Sequence, residues 1–287
     1  MSFSFNDTLK REIKIQRLRL QHPEYFNAVK SNREFKDIHL GERCFILGNG
    51  PSIKALDFSL LEKEIVFTVN QMPRNLQFEK LKTNYHVWAD ERFFNIDESR
   101  PEDVELLNIM KSVNTSGNHP VVFYKSSAKK MIERFGLSDE LEIKYFNEVY
   151  VSNVYEALNA GIDLTTAIPS FSTVIQYVIC IAIYMGFKEI YIIGCDCTGF
   201  ISTAQQKMNM AEKSLYAYDI TENDKKRMQR NFTKNSIRDE LAWYVNLFDT
   251  YGTIARYAQD KNIKIYNAGE GGLLECYPRI KLNSILK

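Results

Sequence analysis

The sequence predicts an α/β protein: a mostly parallel sheet with helices on both faces. Three observations carry that expectation. Arg43 to Lys54, RCFILGNGPSIK, is a short apolar run stopped by glycines and followed by a helical pattern. Beyond it, strand-like and helix-like segments alternate towards the C-terminus, as repeated β–α units do. Polar clusters fall just past the C-terminal ends of the strands, where ligands bind in such sheets.

Cys44 to Leu47 reads as the first buried strand, because four or five apolar residues halted by glycine suit a parallel sheet. In the turn Gly48-Asn49-Gly50-Pro51-Ser52, Gly48 and Gly50 permit positive φ and close approach of a ligand to the backbone. Pro51 suits the first turn of a helix, predicted from Ile53 through Leu61. Free N–H groups at a helix start attract an anion, so the unit reads as strand, phosphate-binding turn and helix. The same glycines would equally serve a tight structural turn. This is not a dinucleotide fingerprint: residue 53 is Ile where GxGxxG needs glycine. The next strand, Val66 to Val69, ends in Asn70-Gln71 and not in a ribose-binding acid. Nor is it a P-loop, since no GKS or GKT follows. A nucleotide held by Gly, Asn and Ser without a triphosphate clamp points to a nucleotide-sugar donor.

Residues 1–40 read as an N-terminal helical extension and residues 41–287 as one nucleotide-sugar-binding α/β domain. In the extension, Leu9, Ile13, Ile15, Leu18 and Leu20 alternate with Lys10, Arg11, Lys14, Arg17 and Arg19. That pattern suits an amphipathic helix packed on the body or on a second copy, or a basic helix lying on an anionic membrane surface. Further strands are expected at Ile65 to Val69, Tyr85 to Ala89, Val121 to Tyr124, Ile143 to Tyr145, Ile190 to Ile193 and Ile263 to Tyr266. Helices are expected at Ser126 to Phe135, Ser170 to Phe187 and Asp239 to Gln259. Ser172 and Thr173 open the second of these; they cap it, or they meet a second anionic group of a ligand. Residues 200–235 are rich in Gln, Lys, Asn and Met and carry no strand. A long insertion at the C-terminal edge of a sheet reads as a lid, or as a solvated helical excursion.

A net charge of +1 over 287 residues argues against general nucleic-acid binding. The five cysteines form no CxxC pair and read as reduced thiols of a cytoplasmic protein. The N-terminus is too polar for a signal peptide. The longest apolar run, Val174 to Phe187, falls short of the roughly 20 residues that span a bilayer.

Asp196, after IIGC, and Asp90, after YHVWA, leave the sheet beside the expected ligand. Either carboxylate can serve as general base for an acceptor hydroxyl, or simply cap a turn. No D-x-D pair supports a divalent ion, so no metal is expected. In the closing NAGEGGLLECYPR, Asn267 ends the last strand, and Arg279 is placed to reach a phosphate or carboxylate, or to lie exposed on a loop. None of the four histidines follows Asp196.

FILGNGPSI, VNQ and MGFKEIYIIGCD together resemble the bacterial sialyltransferases of the Campylobacter lipooligosaccharide type. They also resemble the wider group of motility accessory factors, capsule-type sugar transferases and 6-hydroxymethylpterin diphosphokinase-like proteins. The resemblance covers roughly residues 41–200 and 262–280. It implies a Rossmann-like sheet of GT-A type and metal-independent glycosyl transfer from a CMP-linked, sialic-acid-like sugar to a surface glycan of capsule or lipooligosaccharide. It implies that Asn49, Gly50, Ser52, Asn70 and Gln71 line the nucleotide. Ser172 and Thr173 would meet the donor sugar, with Asp196 beside the site. The sialyltransferases carry a catalytic histidine beyond their GxD; residues 197–247 hold none here. Asp196, and after it Asp90, are therefore expected to take the base's place. The competing expectations are an ATP-dependent diphosphokinase of a pterin-like alcohol and a non-catalytic nucleotide-sugar-binding scaffold.

Overall fold

The computed structural model describes residues 2–114, 119–208, 216–231 and 236–286. The strands are β1 (Arg43–Leu47), β2 (Val66–Val69), β3 (Tyr85–Trp88), β4 (Val121–Lys125), β5 (Glu142–Phe146), β6 (Glu148–Val149), β7 (Ile168–Pro169), β8 (Glu189–Ile193) and β9 (Lys264–Asn267). The helices are α1 (Ser2–Gln21), α2 (Pro23–Val29), α3 (Pro101–Lys111), α4 (Lys129–Arg134), α5 (Val154–Asn159), α6 (Val174–Tyr184), α7 (Gly199–Lys207), α8 (Glu222–Asn231) and α9 (Ile237–Asp260).

Seven strands form one sheet in the order β5-β4-β3-β2-β1-β8-β9, every pair parallel. The chain steps outward from β1 to β5, then returns to lay β8 on the other side of β1. Strand order thus reverses between β1 and β8, and a crevice opens at the carboxyl ends of those two strands. The register Cys44↔Ile190 through Leu47↔Ile193 keeps both strands ending at the same level. Their continuous apolar character follows from cover on both faces. On one face Phe45, Tyr191 and Tyr266 stack across three strands at 5.0 and 5.3 Å. On the other lies α6, from Ile175 to Ala182 wholly buried, with Tyr251 and Ile254 of α9 beside it. The Gln176 side chain accepts the Ser172 and Thr173 N–H groups at 3.0 and 3.3 Å, closing the start of α6.

Two expectations change. No α-helix follows the glycine turn; Pro51–Ala55 and Phe58–Leu61 are separate 3₁₀ turns. Asp57 accepts the Ser59 N–H at 3.1 Å, a local bond that competes with helix continuation. Ile53, Phe58 and Leu61 still bury completely under β1. In α1, Ile15 and Leu18 pack on the body with Phe26, Val149 and Ala167, but Leu9, Ile13 and Leu20 face outward. Arg11 is buried and donates to the Ala167 carbonyl at 3.1 Å, and Lys14 to that of Tyr150 at 2.9 Å. Asn32 ties the extension to the domain through the Tyr145 and Leu164 carbonyls, at 2.7 and 2.9 Å. Among the described residues no helix is long and apolar enough to cross a membrane.

His86 sits fully buried in β3, with Nδ1 2.7 Å from Thr68 Oγ1. Burial pushes its pKa down from 6.5 to about 3. The folded state therefore excludes a proton that the unfolded chain takes up below about pH 6.5. The contribution is complete above that pH and is lost as pH falls towards 3. Urea titrations across this window should show stability falling with acid by up to about 1.4 kcal/mol per pH unit from this residue. His86→Gln should flatten the slope; equal slopes in both proteins would contradict the assignment.

Candidate functional site

The crevice between β1 and β8 is closed at its base by backbone. Beyond the last paired residues the ladder continues: Gly48 N–H donates to the Ile193 carbonyl and Gly50 N–H to that of Gly194, both at 2.8 Å. Ser52 N–H then donates to Asp196 Oδ2 at 2.9 Å. The anion predicted at the start of the turn is therefore present, and it is the protein's own Asp196. Gly50 has φ −70 and Gly48 is not in the left-handed region, so positive φ is not what these glycines supply. Close approach is. A Cβ on Gly50 would fall onto Asp196 Oδ2 and lie 2.7 Å from the Gly194 carbonyl oxygen; one on Gly48 would fall onto that same oxygen. Gly194 itself has φ +72 and would strike the Gly48 carbonyl.

Around this base stand the polar residues of the neighbouring strand end. Asn49 donates through Nδ2 to the Val69 carbonyl at 3.0 Å, which fixes its amide and leaves Oδ1 buried without a partner among the described residues. Asn70 adopts φ +46, and its Oδ1 is likewise buried and unpaired, as is Ser52 Oγ. Gln71 is also close by, but its Oε1 accepts from Arg74 at 3.3 Å and Arg227 at 3.2 Å. Asp196 is buried, with Oδ1 making no hydrogen bond among the described residues.

The other sequence candidates are engaged elsewhere. Both oxygens of Asp90 are taken by Arg92, at 2.8 and 2.6 Å, and Asp90 also caps the short turn that follows β3. Thr173 Oγ1 meets Tyr251 OH at 3.0 Å, and Ser172 Oγ accepts from Asn246 at 3.2 Å; both belong to the α6–α9 contact. Asn267 braces the closing loop, donating to the Leu274 carbonyl at 2.9 Å and accepting the Gly269 N–H at 3.0 Å. Arg279 is directed at backbone and not outward: it donates to the carbonyls of Gly269, Gly271 and Gly272 at 3.3, 2.6 and 2.8 Å. The braced loop in turn packs on Asp196, whose carbonyl accepts the Leu273 N–H at 2.8 Å.

Sequence reasoning expected a lid over residues 200–235 but missed the contacts that seat it. Ala217 N–H donates to the Asn49 carbonyl at 2.9 Å, setting the 216–231 segment on the glycine turn. Arg74, just past β2, donates to Asp224 Oδ2 at 2.6 Å and to the Asp219 carbonyl at 2.8 Å, with its guanidinium 4.2 Å from the Tyr218 ring. Arg227 pairs with the other oxygen of Asp224 at 2.5 Å. The only trace in the sequence is a cation three residues beyond Gln71. Burial raises the pKa of Tyr216 and Tyr218, so both stay neutral phenols at neutral pH. Cys195 and Cys197 flank Asp196 with their sulfurs 3.8 Å apart. Among the described residues no cluster of three or more His, Cys, Asp or Glu is placed to hold a metal ion.

No protein-family profile matches the chain, and no curated protein is detectably similar in sequence. Solved structures with a similar chain path include the Campylobacter jejuni sialyltransferase CstII in complex with a substrate analogue, cytidine-5'-monophosphate. That match has 19% identity over 85% of this chain and 86% of that one, with a TM-score of 0.45. The complex of CstII with CMP-3FNeuAc matches at 18% identity over 84% and 87%, with a TM-score of 0.43. The MAf glycosyltransferase from Magnetospirillum magneticum AMB-1 matches at 12% identity over 91% of this chain, with a TM-score of 0.49; the chain spans 38% of its length. Likeness of this degree is likeness of chain path, and the site residues stand on their own geometry.

Gly50→Ala should cost about 1–3 kcal/mol in chemical denaturation, since the methyl group meets the Gly194 carbonyl and displaces Asp196. Gly252→Ala, inside α9 with open space at its Cβ, should instead stabilise by about 0.5–1 kcal/mol. Similar midpoints for the two variants would show that close packing at the turn is not required.

Proposed function

We propose that this chain is a glycosyltransferase that moves a sugar from a nucleotide-linked donor, CMP-linked by preference, to a hydroxyl of a surface glycan, without a metal ion. One observation carries the reading. At the reversal of strand order, Asn49 Oδ1 and Ser52 Oγ of the turn that holds Asp196, and Asn70 Oδ1 at the neighbouring strand end, are buried and lack partners among the described residues. Buried polar atoms are nearly always paired, and leaving one unmade costs about 1–3 kcal/mol. Two carbonyl-type acceptors suit the amine of a base and the hydroxyls of a ribose. A serine hydroxyl can donate to a phosphate. The motif resemblance to nucleotide-sugar enzymes points the same way.

Those oxygens are enclosed in this structure, so a donor reaches them only if the 216–231 segment lifts from the turn. The segment is seated by the Ala217–Asn49 backbone bond, by Arg74 on Asp224 and Asp219, and by Asn223, Arg227 and Arg230 on Gln71, Glu102, Asp103 and Glu105; these ties are polar, and in a lid they release together. In the transfer, the acceptor oxygen bonds to the anomeric carbon as the bond from that carbon to the nucleotide phosphate breaks. The acceptor proton passes to a base. Asp90 is held by Arg92, which leaves Asp196 Oδ1 as the carboxylate oxygen at the crevice free to take it. Oδ2 stays on Ser52 N–H and fixes the group's orientation.

Incubation with CMP-, UDP- and GDP-sugars and glycan acceptors should show transfer that persists in EDTA. Asp196→Asn keeps an oxygen for Ser52 N–H and should fold normally, with turnover lowered about 100-fold or more and donor affinity little changed. Unchanged turnover would reject Asp196 as the base. Activity lost in EDTA and restored by magnesium would favour phosphoryl transfer to a pterin-like alcohol.

A further inference from the structure

A cavity of about 330 Å³ opens beside the donor crevice, lined by Phe200 of α7, Phe248 of α9, and Leu273, Glu275 and Cys276 of the braced loop. It shares a wall with the site. The carboxylate of Asp196 points to Ser52, whereas its carbonyl accepts the N–H of Leu273, which lines the cavity. Asp196 thus stands between the two spaces.

The lining has a mixed chemistry. Phe200 and Phe248 belong to one aromatic group, with Tyr244 at 5.0 Å from Phe200 and 6.2 Å from Phe248, and Trp243 at 4.9 Å from Tyr244. Trp243 is 43% exposed. Glu275 lines the same cavity from an exposed position, and its carboxylate makes no hydrogen bond or ion pair to a described residue. A hydrocarbon chain in this cavity would use the rings and gain nothing from the carboxylate, which is solvated as it stands. A pyranose ring satisfies both halves. Its C–H face lies on the electron-rich faces of aromatic rings, and its hydroxyls donate charge-assisted hydrogen bonds to a carboxylate. The volume falls at the lower end of the roughly 300–1,000 Å³ typical of small-molecule sites, enough for a sugar ring and its first linkage.

We infer that this cavity is the acceptor subsite and holds one pyranose ring of the receiving glycan, an inference that rests on the glycosyltransferase reading. The acceptor hydroxyl then approaches Asp196 from the loop side as the donor occupies the turn side.

Saturation-transfer NMR on the full chain, with the methyl glycosides of glucose, galactose, mannose and N-acetylglucosamine, tests this directly. At least one glycoside should show contact through its ring protons at millimolar concentration. That contact should weaken at least fivefold in Glu275→Gln and in Phe200→Ala. It should vanish in Leu273→Trp, which fills the space from an exposed position, with thermal unfolding and nucleotide titrations unchanged. No contact with any glycoside, or contact equal in all three variants, overturns the inference. The two failures are separable. Nucleotide binding without glycoside contact leaves the donor site standing and removes this subsite. Glycoside contact without nucleotide binding keeps the sugar site and removes the transferase reading.

Discussion

Everything at the candidate site depends on two strand ends held too close for side chains. The β1–β8 ladder does not stop with the strands; the N–H groups of Gly48, Gly50 and Ser52 carry it on to Ile193, Gly194 and Asp196. Gly48 and Gly194 face each other with carbonyl against Cα, a contact only glycine allows. From this follow the burial of Asp196, the fixed direction of its carboxylate and the seat for the 267–279 loop. The crevice opens at the reversal of strand order, where a parallel sheet has space for a ligand.

Charge is organised to match. The N–H groups at the turn would draw an anion from outside, but Asp196, just past β8, already answers one of them. On the function proposed, a nucleotide at this turn would be held by the side chains of Asn49, Asn70 and Ser52 more than by a helix start. The buried Arg74–Asp224–Arg227 set is a different device. Buried ion pairs add little net stability because desolvation offsets attraction, yet breaking one partner away is costly. Such a set fixes where the 216–231 segment lies, and gives it a defined closed position over Asn49 and Gln71.

The sheet was legible because parallel strands covered on both faces must be short apolar runs. Ile190 to Ile193 was expected and Glu189–Ile193 observed; Tyr85 to Ala89 was expected and Tyr85–Trp88 observed. The glycine turn and Asp196 were legible for the same reason, since each interrupts such a run. The missing helix after Pro51 was not, because Asp57's bond to its neighbour outweighs an apolar spacing that suits either structure. Asp90 was ranked second to Asp196 as a base, and no local pattern showed that Arg92, two residues away, folds back onto it. Arg279 looked like an anion hook, but the carbonyls of three glycines lie nearer. The Arg74–Asp224 pair spans 150 residues, and no local pattern announces a contact of that range.

The central claim is that the turn at β1 and the end of β2 hold a nucleotide. Isothermal titration of the chain with CMP, UMP, GMP and AMP tests it most directly, using Asn49→Ala as the comparison. One nucleotide, CMP by preference, should bind at a single site, and Asn49→Ala should weaken it at least tenfold while the protein stays folded. Absence of binding by all four, or equal affinity in Asn49→Ala, would contradict the account.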